Sequence, residues 1–144
     1  MIEFTVLGRH QCLRLLAERT VGRVVLVEDG VPTAHPVNYL LDGEEIVFAT
    51  ASRPKVLAAA GRHVLGFEVD SIDSHTHSGW SVVGAGEAYE ITAPMRLAAL
   101  ARTIGESWVP GSSGHTIAIP LRILHGRRLA PAGFVSDSLC GSPI

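Results

Sequence analysis

The sequence predicts an α+β fold dominated by antiparallel strands that curve into a barrel, with a few short helices packed on it. Three observations carry this. Two Asp-Gly pairs, Asp29-Gly30 and Asp42-Gly43, each lie between runs of β-forming residues, and glycine supplies the positive φ that a tight hairpin turn needs. Val64 to Asp70 alternates, with Val64, Gly66, Glu68 and Asp70 on one face and Leu65, Phe67 and Val69 on the other. Gly79 to Ile91 reads as a long strand whose Gly84 and Gly86 permit sharp curvature or the close approach of another backbone.

In chain order, Arg9 to Arg19 is a packing helix with Cys12, Leu13, Leu15, Leu16 and Ala17 on its apolar face, ended by Thr20-Val21-Gly22. Arg23 to Glu28 is nearly continuously apolar and is expected to be a central strand. Thr33 to Leu41 follows as a second strand. Pro36 lies inside it and cannot donate to a ladder, so this strand is expected at a sheet edge or with a bulge, leaving backbone groups free to face a ligand. Glu44 to Thr50 is the return strand.

Ser52-Arg53-Pro54-Lys55 then opens a short helix to Ala60, with Ser52 as N-cap and Pro54 in the first turn. A helix N-terminus presents unpaired N–H groups and about half a positive charge. Arg53, Lys55 and the hydroxyls of Thr50 and Ser52 gather at this one, which makes it a candidate phosphate pocket. A capped surface helix with two solvated cations is the alternative reading. Lys55 is the single lysine among the 12 Lys and Arg residues.

Ser71 to Ser78 is expected to be a polar loop. Its His75-x-His77 spacing suits metal chelation from a strand, but no third ligand accompanies it and no metal is assigned. Ala93 to Glu106 is an amphipathic helix with Pro94 in its first turn, and Trp108 in the next loop stands as a stacking lid or a hydrophobic plug. His115 to Leu124 reads as a last strand, with Pro120 marking an edge or a kink. Arg127 and Arg128 contact a phosphate, a partner subunit or solvent. A single domain is expected over residues 1–130, with residues 131–144, rich in Pro, Gly and Ser, as a flexible tail.

At 144 residues the chain can bury roughly two-thirds of its unfolded surface. Its 47% hydrophobic content excludes disorder and implies apolar surface covered by a partner subunit. A net charge of −2 and scattered basic residues argue against nucleic-acid binding. No apolar stretch nears the ~20 residues that span a bilayer, and no basic segment precedes an apolar core at the N-terminus. A soluble, cytoplasmic protein is expected. Cys12 and Cys140 lack metal or redox spacing and read as one buried thiol and one in the tail.

The run His35-Pro36-Val37-Asn38-Tyr39, then Asp42-Gly43, Ile46 to Thr50 and Lys55, is followed by Gly79-Trp80-Ser81-Val82 and by His125 to Leu129. Together with Gly22-Arg23, these motifs resemble the pyridoxamine 5'-phosphate oxidase-like family over about residues 8 to 130. The resemblance implies a six-stranded antiparallel split β-barrel of the FMN-binding type, paired as a homodimer with the flavin in the dimer cleft. It implies Thr50, Ser52, Arg53 and Lys55 at the phosphate, Pro36, Val37, Asn38 and Tyr39 at the ring, and Trp80 and Ser81 at the ring edge. His35, beside the ring strand, is the candidate acid–base residue, with a packed strand-edge histidine as the alternative. The implied function is an FMN-dependent oxidoreductase acting on a small molecule, the flavin carrying the electrons and the protein positioning it. A non-catalytic flavin-storage protein, or the same barrel holding a deazaflavin cofactor or haem, are the alternatives. Oxidase members of the family often carry Arg-Gln where Trp80-Ser81 stands here, which argues against the oxidase's own substrate.

Overall fold

The computed structural model describes residues 2–104 and 114–131. In chain order the elements are β1 (Ile2–Leu7), α1 (Arg9–Ala17), β2 (Val21–Glu28), β3 (Val31–Asn38), β4 (Leu40–Asp42), β5 (Glu45–Thr50), α2 (Arg53–Ala60), β6 (Val64–Asp73), β7 (Ser78–Glu87), β8 (Tyr89–Glu90), α3 (Pro94–Ile104), β9 (His115–Pro120) and β10 (Ile123–Pro131). Both Asp-Gly pairs make their turns. Asp29 and Gly30 adopt φ of 51° and 78° between β2 and β3, and Gly43 adopts 63° between β4 and β5.

Six strands form one antiparallel sheet in the order β1-β10-β7-β6-β2-β3, and four form a second in the order β4-β5-β9-β8. The chain crosses directly between them three times, through Tyr39 from β3 to β4, through Ala88 from β7 to β8 and through Leu121-Arg122 from β9 to β10. The result is a split barrel whose sheets face one another without closing into one continuous ladder.

Alternation decides what lies between the sheets. The larger sheet contributes Val24, Leu26, Leu65, Phe67, Val69 and Val82, the smaller sheet Ile46, Phe48, Ile117 and Ile119, and the ends are plugged by Cys12, Leu15 and Leu16 of α1 and by Ala58 and Ala59 of α2. Each fully buried large apolar side chain here contributes about 1.5–3 kcal/mol. The other face of the smaller sheet carries a second cluster, in which Val47 and Ala118 meet Leu100 of α3 and Ile91. At Gly86 the carbonyl of Pro120 occupies the space a Cβ would take, so the predicted close backbone approach is the link between the two sheets.

Some boundaries differ from expectation. β1 pairs along its whole length with Gly126–Pro131 of β10, although residues 2–7 carry no assignment from sequence and only a strand terminus is expected around Arg127-Arg128. The single strand expected over 115–124 is two strands in different sheets. Pro120 ends the first, and Leu121 turns the chain by donating its N–H to Glu44 O at 3.0 Å. β6 runs on to Asp73, and the tight turn after it holds His75 and His77, both exposed. β10 extends through Pro131, the first residue assigned to the flexible tail; the rest of that tail, with Cys140, and the loop carrying Trp108 lie outside the described residues. Among the described residues no three His, Cys, Asp or Glu are grouped to hold a metal, and no helix is long and apolar enough to cross a membrane.

Candidate functional site

β3 ends the larger sheet, so one side of its backbone has no partner strand. Tyr39 donates its N–H to Thr20 O at 2.9 Å. Bonded and non-bonded pairs alternate along an antiparallel ladder. With Val37 opposite Gly22, His35 opposite Val24 and Thr33 opposite Leu26, the odd-numbered residues of β3 direct N–H and C=O at β2. The even-numbered residues direct theirs at the open edge. Pro32 and Pro36 both fall at even positions, where a missing N–H costs no ladder bond. The register runs unbroken from Val21↔Asn38 to Glu28↔Val31, so the edge and not a bulge accommodates Pro36. The free groups are the C=O of Pro36 and the N–H and C=O of Asn38; the Val37 N–H is spent on β2.

β4 pairs with β5 only from Leu40↔Val47 to Asp42↔Glu45. Before Leu40 the chain belongs to the larger sheet, and after Val47 β5 continues beside β9. The strands therefore part, and a cleft opens between the free edge of β3 and the last residues of β5, Ala49 and Thr50. α2 starts at the end of that cleft. Its N-cap, Ser52, makes no side-chain cap bond, and its N–H donates to Thr50 Oγ1 at 3.0 Å.

Lys55, in the first turn of α2, is only 6% exposed. Among the described residues its ammonium has no carboxylate and no hydrogen-bond acceptor, and the exposed Arg53 likewise has none. The stem is buried while the ammonium is not among the buried unpartnered atoms, so the charge stands open to an anion. Ala58 and Ala59 of α2 share a core with Phe48 and Ile117, so α2 lies on the sheet face that also bears Thr50. Directly opposite Thr50 on that face is His115, whose Nδ1 is 3.0 Å from Glu90 Oε2. Sequence reading missed His115 and Glu90, because their only signal is the register of β9 with β5 and with β8, strands far apart in the chain.

Pro36 and Asn38 thus lie on the free edge of β3, and Thr50, Ser52, Arg53 and Lys55 lie where β5 passes into α2. His35 lies on the inner face of β3 with Nε2 3.1 Å from Glu28 Oε1, and Val37 packs partly on the core. Three expected groups lie elsewhere. Tyr39 is a core residue, 5% exposed, donating its hydroxyl to Leu16 O at 2.5 Å with its ring edge-on to Phe67. Burial pushes its phenol pKa well up. Trp80 is 4% exposed and sits under the Arg19 guanidinium, 5.4 Å from ring centre, because the pleat of β7 turns it inward. Ser81, its neighbour, faces outward between Asp70 and Arg127, three strands from β3 and roughly 14 Å away at ~4.8 Å per strand.

A separate groove of about 740 Å³ opens at the other end of the smaller sheet, around Arg9, Asp42, Glu44, Glu45, Arg96 and Arg122. Its carboxylates are already engaged: Arg96 binds Asp42 at 3.0 Å and Glu45 at 2.8 Å, and Arg9 binds Glu44 at 2.8 Å. Tyr89 adds its hydroxyl to Glu45. This network ties the β4–β5 turn to α3 and α1.

The family model described as pyridoxamine 5'-phosphate oxidase matches residues 8–128. The chain belongs to this family. Among its relatives, an uncharacterised protein of Mycobacterium tuberculosis is 32% identical over 132 residues, covering 88% of this chain and 86% of that one. The structure of the FAD-binding protein from Mycobacterium smegmatis is 27% identical with a TM-score of 0.70, over 88% of this chain and 98% of that one. An FAD-binding protein from Mesorhizobium loti, 18% identical, shares the fold with a TM-score of 0.70, over 87% of this chain and 97% of that one. The family's split barrel is thus the fold found here.

Proposed function

We propose that the protein binds FMN in the cleft between β3 and β5 and serves as a flavin-dependent oxidoreductase acting on a small molecule. The observation that carries this is Lys55, whose stem is buried in the first turn of α2 and whose ammonium has no partner among the described residues. It would hold the phosphate with the Arg53 guanidinium, the Thr50 and Ser52 hydroxyls and the first N–H groups of the helix. The isoalloxazine ring would lie along the free edge of β3, its acceptors on the Asn38 N–H and its imide N–H on the Pro36 carbonyl. When bound, the flavin supplies hydride or single-electron transfer, which no side chain of the cleft provides. His35, oriented by Glu28, is the group that would hold or release a proton beside the ring.

The same reading includes a homodimer. The outer face of the larger sheet exposes Val21, Val25, Val27, Val64, Ile72 and Val83, apolar groups of the kind a partner covers. Arg23 at its centre is matched by Glu68 at 3.0 Å and Asp70 at 3.5 Å, so the face presents little unpaired charge. A twofold pairing of this face would bring Ser81 of one protomer towards the flavin of the other. FAD in place of FMN is the second reading, favoured by the FAD-binding M. smegmatis structure.

The test is to release bound flavin from the purified protein, identify it by chromatography, and titrate the apoprotein with FMN and FAD. One flavin per subunit, weakened by Lys55→Ala, supports the site. Failure to bind either flavin overturns it. A bound flavin that no nicotinamide donor or acceptor can cycle supports storage instead of catalysis.

A further inference from the structure

The cleft has a second wall that the flavin reading leaves unused. His115 stands on β9 directly across from Thr50, and its side chain is 42% exposed. We infer that His115, held through Nδ1 by Glu90, is a second anion-binding group of the pocket and makes the preference for a phosphorylated flavin depend on a proton. The inference rests on the flavin reading above.

The chemistry follows from which nitrogen is occupied. With Nδ1 donating to Glu90 Oε2, the neutral ring presents Nε2 as a bare acceptor, which offers a phosphate oxygen nothing. A second proton turns Nε2 into a cationic donor. Phosphate close by favours that form. The groups set against His115 are Glu90 from β8 and, across the ladder, Thr50 from β5, whose hydroxyl accepts from Ser52 N–H at the start of α2, the helix that carries Arg53 and Lys55. A phosphate held beside Thr50 attracts the cationic ring, so uptake of the proton and retention of the phosphate reinforce each other. The phosphate's own second ionisation, at a pKa of about 6, works in the opposite direction and is the same for every variant.

FMN and riboflavin affinities, compared at about pH 6 and about pH 8.5 for wild type, His115→Gln, Glu90→Gln and Lys55→Ala, decide the matter. The riboflavin values remove effects on the ring site. At the lower pH His115→Gln is expected to bind FMN roughly 10- to 100-fold more weakly, the span of a charged hydrogen bond, with riboflavin unchanged and the deficit closing at the higher pH. Glu90→Gln keeps an acceptor for Nδ1 but removes the charge, so the deficit is smaller and its pH dependence shallower. An FMN-to-riboflavin ratio in His115→Gln equal to wild type at both pH values, with Lys55→Ala lowering it, overturns this inference alone. Wild type binding neither flavin overturns the parent reading as well. If His115→Gln fails to fold by circular dichroism, Glu90→Gln carries the test, since a purely structural pair would change stability without moving the pH profile.

Discussion

Replacing Lys55 with Met separates a ligand-holding lysine from a structural one. Methionine fills the space of the buried stem and removes only the ammonium, which has no partner among the described residues. The apoprotein should therefore keep its stability or gain slightly. The holoprotein should lose a charge-assisted contact of about 1.5–3 kcal/mol, so Kd for FMN should rise roughly 10- to 100-fold. Thermal unfolding with and without FMN reads both effects at once. At an FMN concentration about 100 times the wild-type Kd, the ligand stabilises wild type by about 2.7 kcal/mol, roughly 5–10 °C for a domain of this size. If the Kd rises 100-fold the same concentration stabilises Lys55→Met by only about 0.4 kcal/mol, or about 1 °C. An apoprotein destabilised by more than about 1 kcal/mol, with the FMN-induced shift intact, would refute the reasoning, because Lys55 would then be holding the fold.

Three further outcomes are expected. Trp80→Phe and Tyr39→Phe should each lower stability in urea, the latter by about 1–2 kcal/mol for its lost bond to Leu16 O, while flavin affinity per folded molecule stays put. Gly86→Ala should destabilise by about 1–3 kcal/mol or more, since its methyl would overlap the Pro120 carbonyl at the junction of the sheets. Glu68 is raised from its ordinary 4.5 to about 7, chiefly by burial, with Asp70 adding and Arg23 opposing. The folded state then holds a proton the unfolded chain has released, so stability should fall as pH rises from about 4.5 to about 7. Glu68→Gln should flatten that decline, measured as urea midpoints across the interval; an unchanged slope would point to another group.

Much of this architecture was legible in local chemistry. The Asp-Gly turns, the alternation of Val64 to Asp70 and the cap and first turn of α2 each depend on residues within a few positions of one another, which is why they appear in sequence. Pro36 even announced its edge strand, since only an unpaired backbone position tolerates it. The resemblance over about residues 8 to 130 pointed to the split barrel, and the family match over residues 8–128 agrees with it. Tertiary structure alone decided which face of each strand is inside. β7 offers apolar groups on both faces, Trp80 and Val82 on one and Val83 on the other, so periodicity cannot choose between them, and the opposing sheet does. For the same reason Trp80 and Tyr39 went to the core instead of the cleft. The splitting of residues 115–131 between two sheets, and the meeting of His115 with Thr50 and Glu90, are properties of long-range register, which no local pattern encodes.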